Sequence, residues 1–127
     1  MALVLDAGAV SFLAGRSRRS YALIAALRDE ALWPPTVLSP VLVECLQGHA
    51  GRDALANRLL KSCEILEEVD EQLARRAARL RAAPRRGSAV DALVVAVAEP
   101  GGAVLTTDAG DLRALASGAL NVTVEAV

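Results

Sequence analysis

Four acidic residues occur where a lone carboxylate is costly. Asp91 is the only charged residue in the run "SAVDALVVAVA" (88–98), and Glu44 lies in the mostly apolar "VLVECL". Asp6 and Asp108 each end a short apolar run, "LVLD" and "LTTD". A buried carboxylate needs a partner or must be protonated. Carboxylates that lie together repel each other, and Mg²⁺ or Mn²⁺, which prefer oxygen ligands, relieve that repulsion. The joint pattern therefore indicates one divalent-cation site formed by the four acids.

Each acid also has a purely structural interpretation. Ser88 and Asp91 fit a capping box, in which the acid accepts a hydrogen bond from the cap residue's N–H. Asp6 and Asp108 could cap the helices that follow their strands. Glu44 has the weakest alternative of this kind, because in the middle of a helix it would cap nothing. These interpretations stay open for each residue taken alone.

The elements that must position these acids follow from hydrophobic periodicity. Short apolar runs alternate with helical patterns, which predicts an α/β fold with a central, mainly parallel sheet and helices on both faces. We expect strands at 2–6, 32–33, 63–69, 103–108 and 121–127, and helices at 19–30, 39–48, 52–62, 70–82, 88–99 and 111–117. Ser39 is expected to cap the second helix, with Pro40 in its first turn and Gly48 at its end. Because sites form at the carboxyl ends of parallel strands, Asp6 and Asp108 should share one rim, with Asp111 one turn later.

Composition excludes several classes of protein. The chain has 127 residues, of which 54% are hydrophobic and 23% charged, as expected for one globular domain spanning 1–127. Aromatic residues make up 2%, too few for a base-stacking surface. Cys45, Cys63 and His49 do not have zinc-site spacing. No apolar run is long enough to span a bilayer, and the start lacks the basic region of a signal peptide. We therefore expect a cytoplasmic protein that does not enter a membrane.

Arginines are concentrated in two short stretches although the net charge is only −1. One stretch covers 75–86 and the other 16–19. Such clusters bind phosphate backbones, although a solvated helix face is the commoner role of any single arginine. Arg85 and Arg86 precede the Asp91 segment directly. They are therefore the best candidates for attracting a polyanion to an acidic site.

The four acids occur in a recognisable order, in "LVLDAGAV", "SPVLVECLQG", "SAVDALVVAVA" and "AVLTTDAGDL". In this order the chain resembles the PIN-domain ribonucleases and, more narrowly, the VapC toxins of bacterial toxin–antitoxin pairs, over nearly its whole length. The resemblance implies a PIN-like three-layer α/β/α sandwich and metal-dependent hydrolysis of RNA with Mg²⁺ or Mn²⁺. It implies catalytic and metal-binding roles for four acids and an auxiliary metal-binding role for a fifth: Asp6, Glu44, Asp91 and Asp108, then Asp111.

The resemblance also implies partners and one departure. The partners are an RNA substrate, contacted by Arg85 and Arg86, a cognate VapB-type antitoxin and a second copy of the chain in a homodimer. Thr106 matches the hydroxyl residue that commonly precedes the last acid by two. The family often has Ser or Thr shortly after its first acid, whereas this chain continues from Asp6 to Ala7 and Gly8. Either that hydroxyl is missing or Ser11 supplies it.

Three other functions fit parts of the pattern. A nuclease of the same family could act in RNA maturation or on DNA flaps, although the compact length favours the toxin. A phospho-acceptor signalling domain also gathers acids and Mg²⁺ at strand ends, with Asp6 or another strand-end aspartate as the acceptor. Such a domain would need a lysine near the later strands, and the single lysine, Lys61, lies elsewhere. A non-enzymatic interaction domain, with its acids acting only as helix caps, would bind no metal.

Overall fold

The computed structural model describes residues 1–127, which form five strands and seven helices. The strands are β1 (Leu3–Leu5), β2 (Thr36–Leu38), β3 (Glu64–Leu66), β4 (Ala103–Thr106) and β5 (Thr123–Ala126). The helices are α1 (Ala7–Ala14), α2 (Arg18–Asp29), α3 (Ser39–Cys45), α4 (Ala54–Leu60), α5 (Glu71–Ala82), α6 (Ala89–Ala98) and α7 (Gly110–Ala116). The longest helices have 12 residues, and none combines the length and apolarity needed to cross a membrane.

The five strands form one sheet in the order β3-β2-β1-β4-β5, and every pairing is parallel. The chain starts at the centre, extends to one edge through β2 and β3, and then returns to build β4 and β5 on the other side of β1. In a sheet wound this way, the strand order reverses between β1 and β4, and a crevice opens at their carboxyl ends. The predicted α/β class with helices on both faces is confirmed, and the sheet is parallel throughout.

The two central strands carry the apolar core. All residues of β1 and β4 are buried, whereas the edge strands β3 and β5 are mostly exposed. Helix α1 contacts α2, α3 and α4, and α6 contacts α5 and α7. Both α1 and α6 also contact β4. Continuous apolar runs such as "LVL" and "AVL" are what strands covered on both faces require.

The strand expected at 32–33 is wrong. The second strand lies after the two prolines, at Thr36–Leu38. Proline lacks a backbone N–H, but it is tolerated at the beginning of a strand, where its carbonyl can still accept. Pro35 does this, because its carbonyl accepts a hydrogen bond from the N–H of Glu64 at 2.9 Å.

The helix expected at 39–48 begins at Ser39 as predicted but is shorter, and neither the predicted cap nor the predicted end is correct. Ser39 is inside the first turn, and its hydroxyl donates to the carbonyl of Glu67 at 3.0 Å instead of capping the helix. The helix ends at Cys45, before Gly48. The buried Asp53 carboxylate accepts hydrogen bonds from the N–H groups of residues 47, 48 and 49 at 2.8–3.1 Å. Those groups are therefore used by a loop rather than by another helical turn.

Candidate active site

Asp6 lies between β1 and α1, at the centre of the carboxyl edge of the sheet. Its Oδ1 accepts a hydrogen bond from the N–H of Ala9 at 2.8 Å, so Asp6 caps α1, a helix that the sequence reading did not assign. Its Oδ2 accepts a hydrogen bond from the Thr106 hydroxyl. Burial raises the pKa of Asp6, the two hydrogen bonds lower it, and the charges of Asp91 and Asp108 raise it, with a net upward shift.

Thr106 joins the ends of the two central strands. It is the last residue of β4 and is completely buried. Its hydroxyl donates to Asp6 Oδ2 and accepts a hydrogen bond from the N–H of Asp108 at 3.0 Å. One side chain therefore holds the first acid and the turn that carries the last one.

Asp91 stands in the first turn of α6, where the predicted capping box is confirmed. The N–H of Ser88 donates to Asp91 Oδ2 at 3.1 Å, and the N–H of Asp91 donates to the Ser88 hydroxyl at 3.0 Å. The cap does not isolate this carboxylate from the other acids, because its charge raises the pKa of both Asp6 and Glu44. Capping and proximity to the other acids therefore coexist at Asp91.

Glu44 lies in the last turn of α3 and is exposed. A negative charge at a helix C-terminus is disfavoured by the helix dipole, and this carboxylate has no cationic partner. Partial burial raises the pKa of Glu44 most, followed by the charges of Asp91 and Asp6. Its position is therefore costly for the isolated chain, as the sequence pattern indicated.

Asp108 and Asp111 follow β4 on the same rim. Asp108 is exposed and does not cap α7, which begins at Gly110 without a side-chain cap, so the capping interpretation of Asp108 is wrong. Asp111 Oδ1 accepts a hydrogen bond from Arg86 Nε at 3.1 Å, and Arg86 Nη2 forms an ion pair with the same oxygen at 3.0 Å. The arginine expected to contact RNA and the auxiliary acid are therefore paired with each other.

The side chain of Arg85 lies in different surroundings from that of Arg86. With Arg81 it lines a surface cavity of about 390 Å³ that contains none of the five acids. The backbone of Arg85 is left-handed, with φ of +50°. Arg81 is held in place by a hydrogen bond from its Nε to the carbonyl of Gly87 at 3.1 Å. The two adjacent arginines of the loop thus have separate surroundings.

The carboxylates of this rim are chemically suitable ligands for a hard divalent cation, but their side chains are not oriented to bind one together. The salt bridges of the chain use Glu71, Glu99 and Asp111, which leaves Asp6, Glu44, Asp91 and Asp108 without a cation. Carboxylate oxygens are the ligands that Mg²⁺ and Mn²⁺ prefer. No three acidic, histidine or cysteine side chains, as they are oriented here, form a group that could hold a metal ion. Direct ligation by three of them would therefore require side-chain rotation, which the exposed Glu44 and Asp108 permit.

Sequence reasoning missed one polar side chain of this rim. The Thr107 hydroxyl occupies the space beside Gly8 where a larger residue would place its Cβ. The hydroxyl nearest to that position is thus Thr107's rather than the Ser11 hydroxyl considered from the sequence. The sequence does contain a glycine at residue 8 and a second threonine in "LTTD". Nothing in the sequence links the two residues, however, and only the structure shows their contact.

Comparisons with known proteins agree with this architecture. The family model of the PIN domain matches residues 3–117. The crystal structure of PAE2754 from Pyrobaculum aerophilum has a similar fold, with a TM-score of 0.63 and 18% sequence identity over 98% of this chain and 83% of that chain. A comparison with curated proteins finds no matching sequence. Since the family model covers most of the chain, including all four unpaired acids, the protein belongs to the PIN-domain family, whose members are generally nucleases.

Proposed function

We propose that this protein is a divalent-cation-dependent endoribonuclease and the toxin of a VapBC-type pair, acting on RNA in the cytoplasm. The observation that carries the proposal is a set of four carboxylates without cationic partners, in which Asp91 and Asp108 act electrostatically on Asp6, and Asp91 and Asp6 act on Glu44. They come from four separate segments of the chain, which local helix capping alone does not require. The PIN-domain membership supports the nuclease class.

Each acid would contribute in a way that its surroundings favour. A bound Mg²⁺ or Mn²⁺ supplies positive charge to the scissile phosphate and lowers the pKa of water. Asp6 is the best-ordered candidate ligand, because Ala9 and Thr106 hold both of its oxygens in place. Glu44 and Asp108 are exposed and can turn toward the same point. A carboxylate that remains outside the ligand set could orient the attacking water.

The openness of the site favours a polymeric substrate. The four acids line none of four surface cavities, of about 170 to 390 Å³, that lie elsewhere on the chain. Small-molecule sites are usually concave and enclose most of their ligand, whereas a phosphodiester backbone can be bound along an open rim. RNA is therefore a better candidate than a small phosphorylated metabolite.

The phospho-acceptor alternative is less well supported. Lys61 ends α4 and precedes β3, which puts it near the amino end of that strand. The acids lie at the opposite, carboxyl edge of the sheet. A lysine so placed is poorly suited to contact a phosphoryl group on Asp6.

The proposed partners are an antitoxin and a second copy of the chain. The unpaired carboxylates suit an antitoxin arginine, because carboxylates accept bidentate hydrogen bonds from guanidinium groups. A complex whose antitoxin left the acids without such a contact would count against this part of the proposal. For the homodimer, the exposed apolar side chains of Val43 and Leu120, which are 82% and 61% exposed, are candidate contacts. Light scattering of the isolated protein tests it.

Cleavage of total RNA by the purified, partner-free protein tests the nuclease proposal. We expect discrete fragments with Mg²⁺ or Mn²⁺, none with EDTA, and at least a hundredfold loss of rate in Asp91→Asn, on the order found for essential charge-stabilising groups. Glu68→Gln is the matched control, because Glu68 is an exposed acid between β3 and α5. Equal cleavage by the wild-type protein and Asp91→Asn would contradict the proposed site.

A further inference from the structure

Gly8 and Thr107 occupy one space at the edge of the acidic rim. Gly8 is in the first turn of α1, directly after Asp6, and Thr107 directly follows β4. A Cβ on Gly8 would collide with Thr107 Oγ1 and would lie 3.5 Å from Asp6 Oδ1. The absence of a side chain at residue 8 therefore allows the Thr107 hydroxyl to lie beside the first acid.

The Thr107 hydroxyl has no hydrogen-bond partner inside the protein. The hydrogen bonds that hold this turn are made by Thr106, which bonds Asp6 and the backbone of Asp108. Thr106 is fully buried, whereas Thr107 is exposed and its hydroxyl makes no hydrogen bond to another residue. Two adjacent threonines thus differ completely, one joining the strand ends and the other presenting a free donor to solvent.

We propose that Thr107 contacts the substrate, by donating a hydrogen bond from its hydroxyl to a phosphate oxygen of the bound RNA backbone. This inference rests on the proposed ribonuclease function. Ionised carboxylates and phosphates are both hydrogen-bond acceptors, so the acids themselves offer the phosphate no donor. Threonine hydroxyls are common partners of backbone phosphates. Arg86, the nearby cation, pairs with Asp111, whereas the Thr107 hydroxyl beside Asp6 makes no hydrogen bond within the chain.

Two substitutions at residue 107 separate the hydroxyl from the shape of the side chain. Thr107→Val keeps the shape and removes the donor, whereas Thr107→Ser keeps the donor. With total RNA as substrate, we expect Thr107→Val to raise the apparent KM roughly tenfold, the usual size for a lost hydrogen bond to a charged group. Its kcat should change little, because a backbone contact is present before and during the reaction. Thr107→Ser should stay within about twofold of the wild type on the same reasoning.

Gly8→Ala displaces the same hydroxyl without changing Thr107 itself. The added methyl group would force the Thr107 side chain to turn away, while alanine favours a helix more than glycine does. We therefore expect Gly8→Ala to raise KM as Thr107→Val does, with an unchanged or higher Tm. If the hydroxyl only supported the fold, Gly8→Ala would lower the Tm and the cleavage activity together. The double variant Gly8→Ala/Thr107→Ala should be no worse than either single variant, because both remove one interaction.

The outcomes distinguish this inference from the nuclease proposal. If the wild-type protein cleaves RNA, Asp91→Asn does not, and Thr107→Val keeps the wild-type KM, then the Thr107 contact is wrong and the nuclease proposal stands. Multiplicative losses in the double variant, or a loss of activity that follows Tm, would also overturn the contact. If the wild-type protein neither cleaves nor binds RNA in the presence of Mn²⁺, both proposals fail.

Discussion

At the scale of single residues, the rim depends on how each carboxylate is held. Asp6 has both oxygens occupied by protein donors, whereas Glu44 has no hydrogen bond at all. A rim that combines a hydrogen-bonded acid with acids free of such bonds suits a site that is completed when a cation binds. Thr106 has a central position, because its hydroxyl is bonded both to Asp6 and to the backbone of Asp108.

Thr106→Val should raise the pKa of Asp6 above its already raised value. The Thr106 hydroxyl stabilises the ionised carboxylate and so lowers that pKa, and valine keeps the shape but not the donor. Titration of the Asp6 carboxyl by NMR measures the change. Thr123→Val, at an exposed position of β5, is the control and should leave the Asp6 titration unchanged. An unshifted Asp6 in Thr106→Val would show that the hydroxyl does not act on its charge.

Arg86→Ala tests whether the Arg86–Asp111 pair contributes to RNA binding rather than to stability. The side chains are 57% and 51% exposed, and exposed pairs contribute about 0–1 kcal/mol. We expect little change in Tm, weaker RNA binding and a salt dependence reduced by about one phosphate contact. Arg75→Ala, which breaks the exposed Arg75–Glu71 pair on α5, is the matched control. Equal RNA affinities of the two variants would remove Arg86 from the interface.

At the scale of elements, two acids with lowered pKa values form hydrogen bonds that fix the ends of helices in place. Glu99 ends α6 and accepts two hydrogen bonds from Arg76 of α5, at 2.8 and 2.6 Å, and these bonds lower its pKa. Asp53 precedes α4 and holds the loop after α3, which carries Glu44 in its last turn. The position of Glu44 therefore depends on a carboxylate outside the site.

Asp53→Asn should remove a part of the stability that depends on pH. Hydrogen bonds from the N–H of Gln47 and its neighbours lower the pKa of Asp53 below the ordinary 3.8. A lowered pKa in the folded state gives stability above the unfolded pKa, which is lost as the pH falls through the folded value. Urea unfolding should show a larger gap between wild type and Asp53→Asn at pH 7 than at pH 3. Asp29→Asn, at an exposed acid of α2, should show no such change in the gap.

At the scale of the whole molecule, the parallel sheet concentrates negative charge at one edge. The order β3-β2-β1-β4-β5 brings Asp6 and Asp108 to adjacent strand ends, and α3 and α6 add Glu44 and Asp91. Burial and mutual repulsion raise the pKa values of Asp6 and Glu44. In the absence of a cation, this edge therefore destabilises the folded protein at neutral pH.

Divalent cations should stabilise the fold for this reason. At a cation concentration about ten times its Kd, binding to the folded state adds about 1.4 kcal/mol, which thermal unfolding detects as a higher Tm. The gain should disappear on acidification, beginning above the ordinary carboxyl range because the raised pKa values favour protonation. Asp6→Asn should abolish the gain and Glu68→Gln should retain it. A Tm independent of Mg²⁺ and Mn²⁺ would contradict the cation site.

The sequence by itself determined those features that depend on local chemistry. The capping box of Ser88 and Asp91, the helix expected at 70–82 and the alternation of buried strands with helices all appear as predicted. Each of these depends on residues within one or two turns of one another. The order of the four acids could also be recognised from the sequence, because each of them lies within or at the end of a predicted strand or helix.

The tertiary structure alone decided the features that join distant parts of the chain. It placed the second strand after Pro34 and Pro35, where Thr36–Leu38 pairs with β3 and Pro35 contributes only its carbonyl. It ended α3 early, because Asp53 takes the N–H groups that another turn would have used. It also brought Thr107 against Gly8, almost a hundred residues earlier in the chain. Such contacts follow from the sheet order, and sheet order is set by the packing of the whole core rather than by any local pattern.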